Sequence, residues 1–300
     1  MKPKLVDSCH VCEGESMEDL AAANQAAEYL ESLLDYLACP LDSSVPLSAV
    51  RNAAGEVVAL RSRDTEYPVV QNVPCLVPKL EEGTRVDLPL WQGRQKKMWQ
   101  EYQDGSESIF TSESHTMGRQ VGEIIARSGG GRYLDVGCGV LAKPAYMVAS
   151  SRRVEWIGVD PFLGNIARLF PFVQGLGEYI PFQHDVFEGA LYAGTIFHLL
   201  DPRRSLRRVH DVLKPKGKLF VWYTASRIGR KYLFWRGLRA LGFARRYDDD
   251  FLWGFTQKSL RTLVEGAGFA VEDEVFLCEA CPDLSTCEHA NEYLVIAHRM

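Results

Sequence analysis

The sequence predicts an α/β fold, with a mostly parallel sheet and helices on both faces. Three observations point there. Residues 133–139, Tyr-Leu-Asp-Val-Gly-Cys-Gly, are an apolar strand ending in Asp135 and a loop holding Gly137 and Gly139. Residues 156–160, Trp-Ile-Gly-Val-Asp, are a second buried strand ending in an acid, seventeen residues past Gly139. Strand and helix patterns then alternate, which is the order that folds into a parallel sheet covered on both sides.

Taken in order, residues 16–37 read as a helix, with Met17, Leu20, Ala21, Tyr29, Leu30, Leu33 and Leu34 forming a rough apolar stripe among acids. Residues 79–89 read as a linker, and 91–130 carry helices in which Trp91, Met98, Trp99 and Tyr102 are packing residues. Gly129, Gly130 and Gly131 lead into the first strand. In the loop that follows, glycine lets the backbone approach a ligand, and a helix N-terminus stands close by. A dinucleotide fingerprint would need a third glycine, but Val140, Leu141 and Ala142 follow Gly139. The paired glycines alone also suit an ordinary strand-to-helix turn.

Asp160 ends the second strand, where an acid can accept hydrogen bonds from both hydroxyls of a ribose. Its competing reading is an N-cap for the next helix. Residues 175–182, Gly-Leu-Gly-Glu-Tyr-Ile-Pro-Phe, come next, and 187–198 are a further apolar run. Asp201 and Pro202 open a helix as N-cap and first helical residue. Residues 214–218 turn into the strand 219–223, and 271–277 and 293–298 are the last two strands.

Three hundred residues suffice for one full α/β domain with a small attachment. No apolar run reaches the roughly 18 residues of a membrane-spanning helix. The first nine residues lack the apolar core of a signal peptide, so the expected location is the cytoplasm. There, the eight cysteines are expected reduced or metal-bound. The net charge of −5 argues against a dedicated nucleic-acid binder.

Residues 133–223 resemble the class I S-adenosylmethionine-dependent methyltransferases of the "type 11" group. That group reads L-D-V-G-C-G, G-x-D, A-E-x-L-P-F, L-x-H-x-x-D-P and V-L-K-P-G-G. The chain has, in the same order, residues 134–139, 158–160, 177–182, 196–202 and 212–217. The resemblance implies a doubly wound, Rossmann-like, mostly parallel seven-stranded sheet with an antiparallel last strand, and S-adenosyl-L-methionine as cofactor. By the same resemblance the cofactor site is Asp135, Gly137, Gly139, Asp160, Gly177 and Glu178. Asp135 to Gly139 would lie under methionine and ribose, Asp160 would hold the ribose hydroxyls, and Gly177 and Glu178 would sit by the adenine. Three positions depart from the pattern. The third glycine is gone, the acid before A-E falls on Leu176, and Lys216 stands in the K-P-G-G turn.

Residues 35–80 resemble a small zinc-ribbon domain, which implies a ribbon-like β unit ahead of the main domain. Leu37-Ala38-Cys39-Pro40-Leu41 and Tyr67-Pro68-Val69 match, but the partner of Cys39 is Asp42, and the second thiolate pair falls near Leu60 and Arg63. A structural zinc needs four ligands, so the expectation is a ribbon held by its apolar strands with no metal. The expected organisation is a helical extension in 1–34, an altered ribbon in 35–80 and the methyltransferase domain in 90–300.

Acceptor chemistry is expected at the carboxyl ends of the strands. Tyr192, Thr195 and His198 follow the fourth strand, and Tyr192 and His198 are the candidate catalytic residues. An imidazole of pKa about 6.5 suits a general base, and the competing reading is a packing residue. The basic, aromatic stretch 227–246 suits contact with a peripheral membrane surface or a phosphorylated acceptor, or else a helical cap with a solvated basic face. Cys9, Cys12, Cys278, Cys281 and Cys287 suit zinc, a redox pair or reduced loop thiols.

The leading expectation is methyl transfer to a small molecule or biosynthetic intermediate. Methylation of ribosomal or transfer RNA, and a non-catalytic subunit that binds the cofactor for a partner, are the alternatives.

Overall fold

A computed structural model describes residues 17–63, 65–78, 88–103, 115–164, 167–225, 253–277 and 292–300. The stretch 227–246 and Cys9, Cys12, Cys278, Cys281 and Cys287 lie outside them, as does nearly all of the expected linker.

The chain opens with helix α1 (Met17–Leu33) and six short strands: β1 (Ala38–Cys39), β2 (Asp42–Pro46), β3 (Ser48–Arg51), β4 (Val57–Ser62), β5 (Thr65–Val70) and β6 (Val73–Pro74). Helices α2 (Leu88–Gln103) and α3 (Thr116–Ser128) follow, then β7 (Gly131–Val136), α4 (Ala145–Ser150), β8 (Val154–Asp160) and β9 (Phe172–Gln174). The rest is β10 (Phe187–Ala193), α5 (Pro202–Val212), β11 (Leu213–Thr224), α6 (Gln257–Glu265), β12 (Phe269–Leu277) and β13 (Glu292–Arg299).

The large sheet has seven strands in the order β12-β13-β11-β10-β7-β8-β9. Strands β11, β10, β7, β8 and β9 run parallel, and β13 runs antiparallel to both β11 and β12. The expected parallel sheet with an antiparallel last strand is therefore present. Alternate side chains of the strands feed two cores, because successive residues point to opposite faces. Tyr133, Trp156, Phe220 and Trp222 pack on one face with Val121 and Ile125 of α3 and Tyr146 and Met147 of α4. Leu134, Val159, Tyr192 and Val221 pack on the other with Leu206 and Val209 of α5 and Leu260 of α6.

Local signals set the helix ends. The Asp201 carboxylate accepts the Arg204 N–H at 3.0 Å, and Pro202 occupies the first turn of α5. Thr256 and Ser259 form a capping box on α6. Two crossovers depart from the expected alternation. Between β8 and β9 no described residue is helical, and between β9 and β10 there is one 3-10 turn, Gly177–Tyr179. Pro161, Gly164 and Pro171 oppose a helix in the first of these, and the Arg168 side chain supplies donors to its backbone carbonyls instead.

Strands β3, β4, β5 and β6 form a four-stranded antiparallel sheet, and β1 pairs with β2. This unit does not rest on its own strands alone. Leu30 and Leu33 of α1, together with Leu37, Leu60, Tyr67 and Leu76, share one core with Val136, Val173, Ile180 and Phe182. Backbone bonds reinforce the contact. Leu76 N–H donates to Gln174 O at 2.8 Å, Ala38 N–H to Pro181 O at 2.9 Å, and Gln183 N–H to Tyr36 O at 2.9 Å. Leu60 is fully buried, and Arg63 lies 3.6 Å from Asp42.

Candidate functional site

The carboxyl ends of β7, β8 and β10 meet at one edge of the molecule. Gly137 and Gly139 turn the chain there with φ of +79° and +69°, a region that favours glycine. Gly137 has a second reason to lack a side chain: a Cβ would stand 2.3 Å from Cγ2 of Thr195. Thr195 in turn donates to Gly137 O at 3.1 Å, so the turn after β10 closes on the loop after β7.

Asp160 fastens that loop to β8. Its Oδ2 accepts the Gly139 N–H at 3.0 Å and its Oδ1 the Phe162 N–H at 2.9 Å. Each oxygen keeps a further lone pair. Burial pushes this carboxyl up, while the two amides and the nearby Arg168 charge oppose the shift. Asp135 is fully buried. Its Oδ2 accepts the Tyr146 hydroxyl at 2.7 Å, and its Oδ1 has no hydrogen-bond partner among the described residues. Burial, opposed by Tyr146 and aided by the Asp160 charge, pushes Asp135 up to about 7.

Arg168 closes the side of the loop. Its guanidinium donates to the carbonyls of Gly139 at 2.6 Å and Phe162 at 2.9 Å, and also to that of Leu163. It lies over the Phe172 ring, 3.6 Å from the centroid. Cys138 fills the space behind, where a Cβ on Gly158 would come within 2.6 Å of its Sγ.

Gly177 and Glu178 sit one strand further on, and each has a tight protein contact. A Cβ on Gly177 would stand 2.8 Å from Leu199 and 3.0 Å from Val136. Glu178 is buried, and its Oε1 accepts the N–H groups of Leu200 at 2.5 Å and Asp201 at 3.2 Å. Its carboxylate thus holds the start of α5, and burial pushes its pKa up.

The expectation for Tyr192 is corrected. It is fully buried in the α5 face of the sheet, and its hydroxyl pairs with Ser205 Oγ at 2.7 Å. Strand β10 is central and covered on both faces, so a side chain within it reaches core rather than solvent. In the turn that follows, the half-buried His198 donates its backbone N–H to Thr195 O at 2.9 Å.

The structure adds residues that sequence reasoning did not select: Tyr146 and Arg168 beside the two acids, and His115, Trp222, Thr224 and Glu292 at the end of β11. Glu292 accepts from Trp222 Nε1 at 3.0 Å and from Thr224 Oγ1 at 2.5 Å. His115 caps α3 and lies with its ring centroid 5.7 Å from that of Trp222. A histidine just ahead of a helical pattern is the only local signal among these.

Strand order, one antiparallel strand and two buried acids beside paired glycines at the strand ends define the α/β domain. Residues 113–274, over half of the sequence, match the family described as "Methyltransferase domain", and the chain belongs to that family. The chain is 27% identical over 128 residues to O-methyltransferase resE of Aspergillus sclerotiorum, covering 39% of this chain and 48% of that protein. It is 33% identical over 113 residues to a ubiquinone biosynthesis O-methyltransferase of Ruegeria pomeroyi, covering 34% of this chain and 44% of that protein. The chain spans about half the length of the curated relatives it matches. A Burkholderia thailandensis 1,6-didemethyltoxoflavin-N1-methyltransferase, solved with its acceptor and S-adenosylhomocysteine, aligns with a TM-score of 0.53 at 16% identity. That alignment covers 79% of this chain and 96% of the other, and it shows a shared fold. The fold is that of the class I S-adenosylmethionine-dependent methyltransferases. No helix among the described residues is long and apolar enough to cross a membrane.

Proposed function

We propose that this protein is an S-adenosyl-L-methionine-dependent methyltransferase that modifies an oxygen atom of a small-molecule acceptor. One observation carries the reading. Asp160 is held at the end of β8 by one backbone N–H on each oxygen, which leaves one acceptor position per oxygen for a pair of vicinal hydroxyls. The buried Asp135 supports it, because an oxygen with no partner beside the paired glycines suits an amino group. The names of the curated relatives support oxygen as the methylated atom.

The residues present fit the cofactor. Asp160 would hold the ribose hydroxyls, and Asp135 with the turn at Gly137 and Gly139 would hold the methionine end. The bound cofactor supplies an electrophilic methyl group on a sulfonium. The chain itself orients and dries the site. Thr195 and Arg168 close the loop from two sides, and Glu178 keeps the Leu200 and Asp201 amides in place. Holding two reactants in line can contribute roughly 7–11 kcal/mol to such a transfer. We assign residues 1–34, 35–80 and 90–300 to a helical extension, an altered ribbon and the methyltransferase domain. The separate four-stranded sheet supports that division. His198, in the turn after β10, is kept as the candidate for moving an acceptor proton.

The test is calorimetric titration with S-adenosylmethionine and S-adenosylhomocysteine, beside Asp160→Asn. The expected result is saturable binding by the wild type and a loss of about tenfold or more in the variant, or about 1.4 kcal/mol. No binding by the folded wild type would overturn the reading.

A further inference from the structure

The crossover from β8 to β9 passes the site with no helical residue among those described. A helix satisfies its own backbone carbonyls, so those of this segment need donors from elsewhere. One side chain supplies them. Arg168 Nη2 donates to Gly139 O at 2.6 Å and to Phe162 O at 2.9 Å, and Nη1 donates to Leu163 O. The face of the guanidinium rests on the Phe172 ring. The next residue continues the seam, because Leu169 N–H donates to Ala142 O at 2.9 Å. Residues 168 and 169 therefore grip the loop after β7 at Gly139 and at Ala142, the two ends of the stretch where a third glycine is absent. The crossover also packs closely there: a Cβ on Gly164 would stand 3.1 Å from Val140 Cβ.

The two carbonyls held by Nη2 belong to the residues that hold Asp160. Gly139 N–H bonds its Oδ2 at 3.0 Å, and Phe162 N–H bonds its Oδ1 at 2.9 Å. Each residue is thus pinned on both sides of its Cα, by the carboxylate on one side and by the guanidinium on the other. The two turns can splay only by breaking bonds to Asp160 or to Arg168. Charge acts in the same direction, since the nearby guanidinium opposes the effect of burial on the Asp160 carboxyl.

We propose that Arg168 is a positioning residue for the cofactor: it sets the separation of the Gly139 and Phe162 turns and, through them, aims both Asp160 oxygens at the ribose hydroxyls. The inference rests on the methyltransferase reading above and adds to it a residue that acts through Asp160 rather than on the bound molecule. Its shape matters as well as its charge. A guanidinium is a rigid, planar fork that bonds several carbonyls while its face stacks on a ring, whereas an ammonium is a point charge on a flexible stem. Lysine at this position keeps the charge and loses the fork. Methionine loses both.

The test measures how well the site reads one ribose hydroxyl. S-adenosylhomocysteine and its 2′-deoxy analogue are titrated calorimetrically into wild type, Arg168→Lys, Arg168→Met and Asp160→Asn, with the Tm of each recorded. Wild type should bind S-adenosylhomocysteine about tenfold or more tighter than the analogue, as expected for a hydrogen bond to a charged group. In both Arg168 variants, and in Asp160→Asn, that preference should shrink to about threefold or less. A residue that only stabilises the fold would lower the Tm and leave the preference unchanged, because the titration reads the folded molecules. If Arg168→Met does not fold, Arg168→Lys decides alone. Three results would overturn the assignment: an undiminished preference in either folded Arg168 variant, an undiminished preference in Asp160→Asn, or a wild type that binds both compounds equally well. Failure of both Arg168 variants to fold would make Arg168 a residue of the fold and overturn it too. Failure of the wild type to bind S-adenosylhomocysteine at all would instead remove the methyltransferase reading, and this inference with it.

Discussion

Replacing Asp135 with asparagine should make the protein more stable at alkaline pH and less stable in acid. Asp135 is fully buried, and burial, opposed by the Tyr146 hydroxyl and aided by the Asp160 charge, raises its carboxyl to about 7. An aspartate in the unfolded chain ionises near 3.9. Between about pH 4 and 7 the folded protein keeps a proton that the unfolded chain has released. The stability tied to this group is therefore full below about pH 4, falls as the pH rises, and is gone above about 7. A gap of about 3 in pKa, at about 1.4 kcal/mol each, amounts to about 4 kcal/mol. Asparagine does not ionise, so it escapes that loss. It keeps an oxygen for the Tyr146 hydroxyl but buries an NH2 group with no partner, which costs about 1–3 kcal/mol. The variant should be less stable than wild type by about 1–3 kcal/mol near pH 4, and more stable by a similar amount at pH 8. Urea unfolding followed by far-UV circular dichroism at pH 4, 6 and 8 measures the crossing. A stability difference that stays constant across this range, or reverses in the other direction, would refute the reasoning. The gain at pH 8 should come with weaker cofactor binding, the usual exchange of stability for function at a charged, buried site.

Two further outcomes follow from the same geometry. Gly137→Ala puts a Cβ 2.3 Å from Thr195 at a φ of +79°, so it should lower stability by at least about 1–3 kcal/mol and weaken cofactor binding, read by thermal melting and calorimetry. Tyr192→Phe removes a hydroxyl paired with Ser205 in the core, so it should cost about 1 kcal/mol in urea unfolding and leave the affinity for S-adenosylhomocysteine within about twofold.

The sheet was legible because its strands announce themselves locally. Strands β7 and β8 are apolar runs that end in acids, and Asp201 with Pro202 carries a helix start in two adjacent residues. The backbone of the first loop was legible for a similar reason, since paired glycines mark positive φ. The partners of that loop were not. Tyr146 reaches Asp135 across eleven positions, Arg168 reaches Gly139 across 29, and Glu292 reaches Thr224 across 68. Contacts of that span depend on how strands are ordered and registered, which no local pattern encodes. Tyr192 misled for a related reason. Its place near the end of an apolar run suggested the edge of a site, but a central strand is covered on both sides, and partly exposed residues begin only at Ala193. The small N-terminal sheet was legible as strands, whereas its shared core with β8, β9 and residues 180–182 was not.

That shared core has a consequence for synthesis on the ribosome. The edge to which Leu76 bonds is Gln174, which follows it by 98 residues. At about 5–20 residues per second, the N-terminal helix and small sheet emerge roughly 5–20 s before their docking partner exists. During that interval Leu37, Leu60 and Tyr67, all buried in the finished protein, have no large sheet to cover them. Once β9 emerges, β6 caps it through the bridge between Cys75 and Gln174 and removes an open strand edge that would otherwise template self-association. The same contact is thus a liability while the chain is being made and a safeguard afterwards, so yield should respond to translation speed and to holding chaperones more than to changes in the cofactor loop.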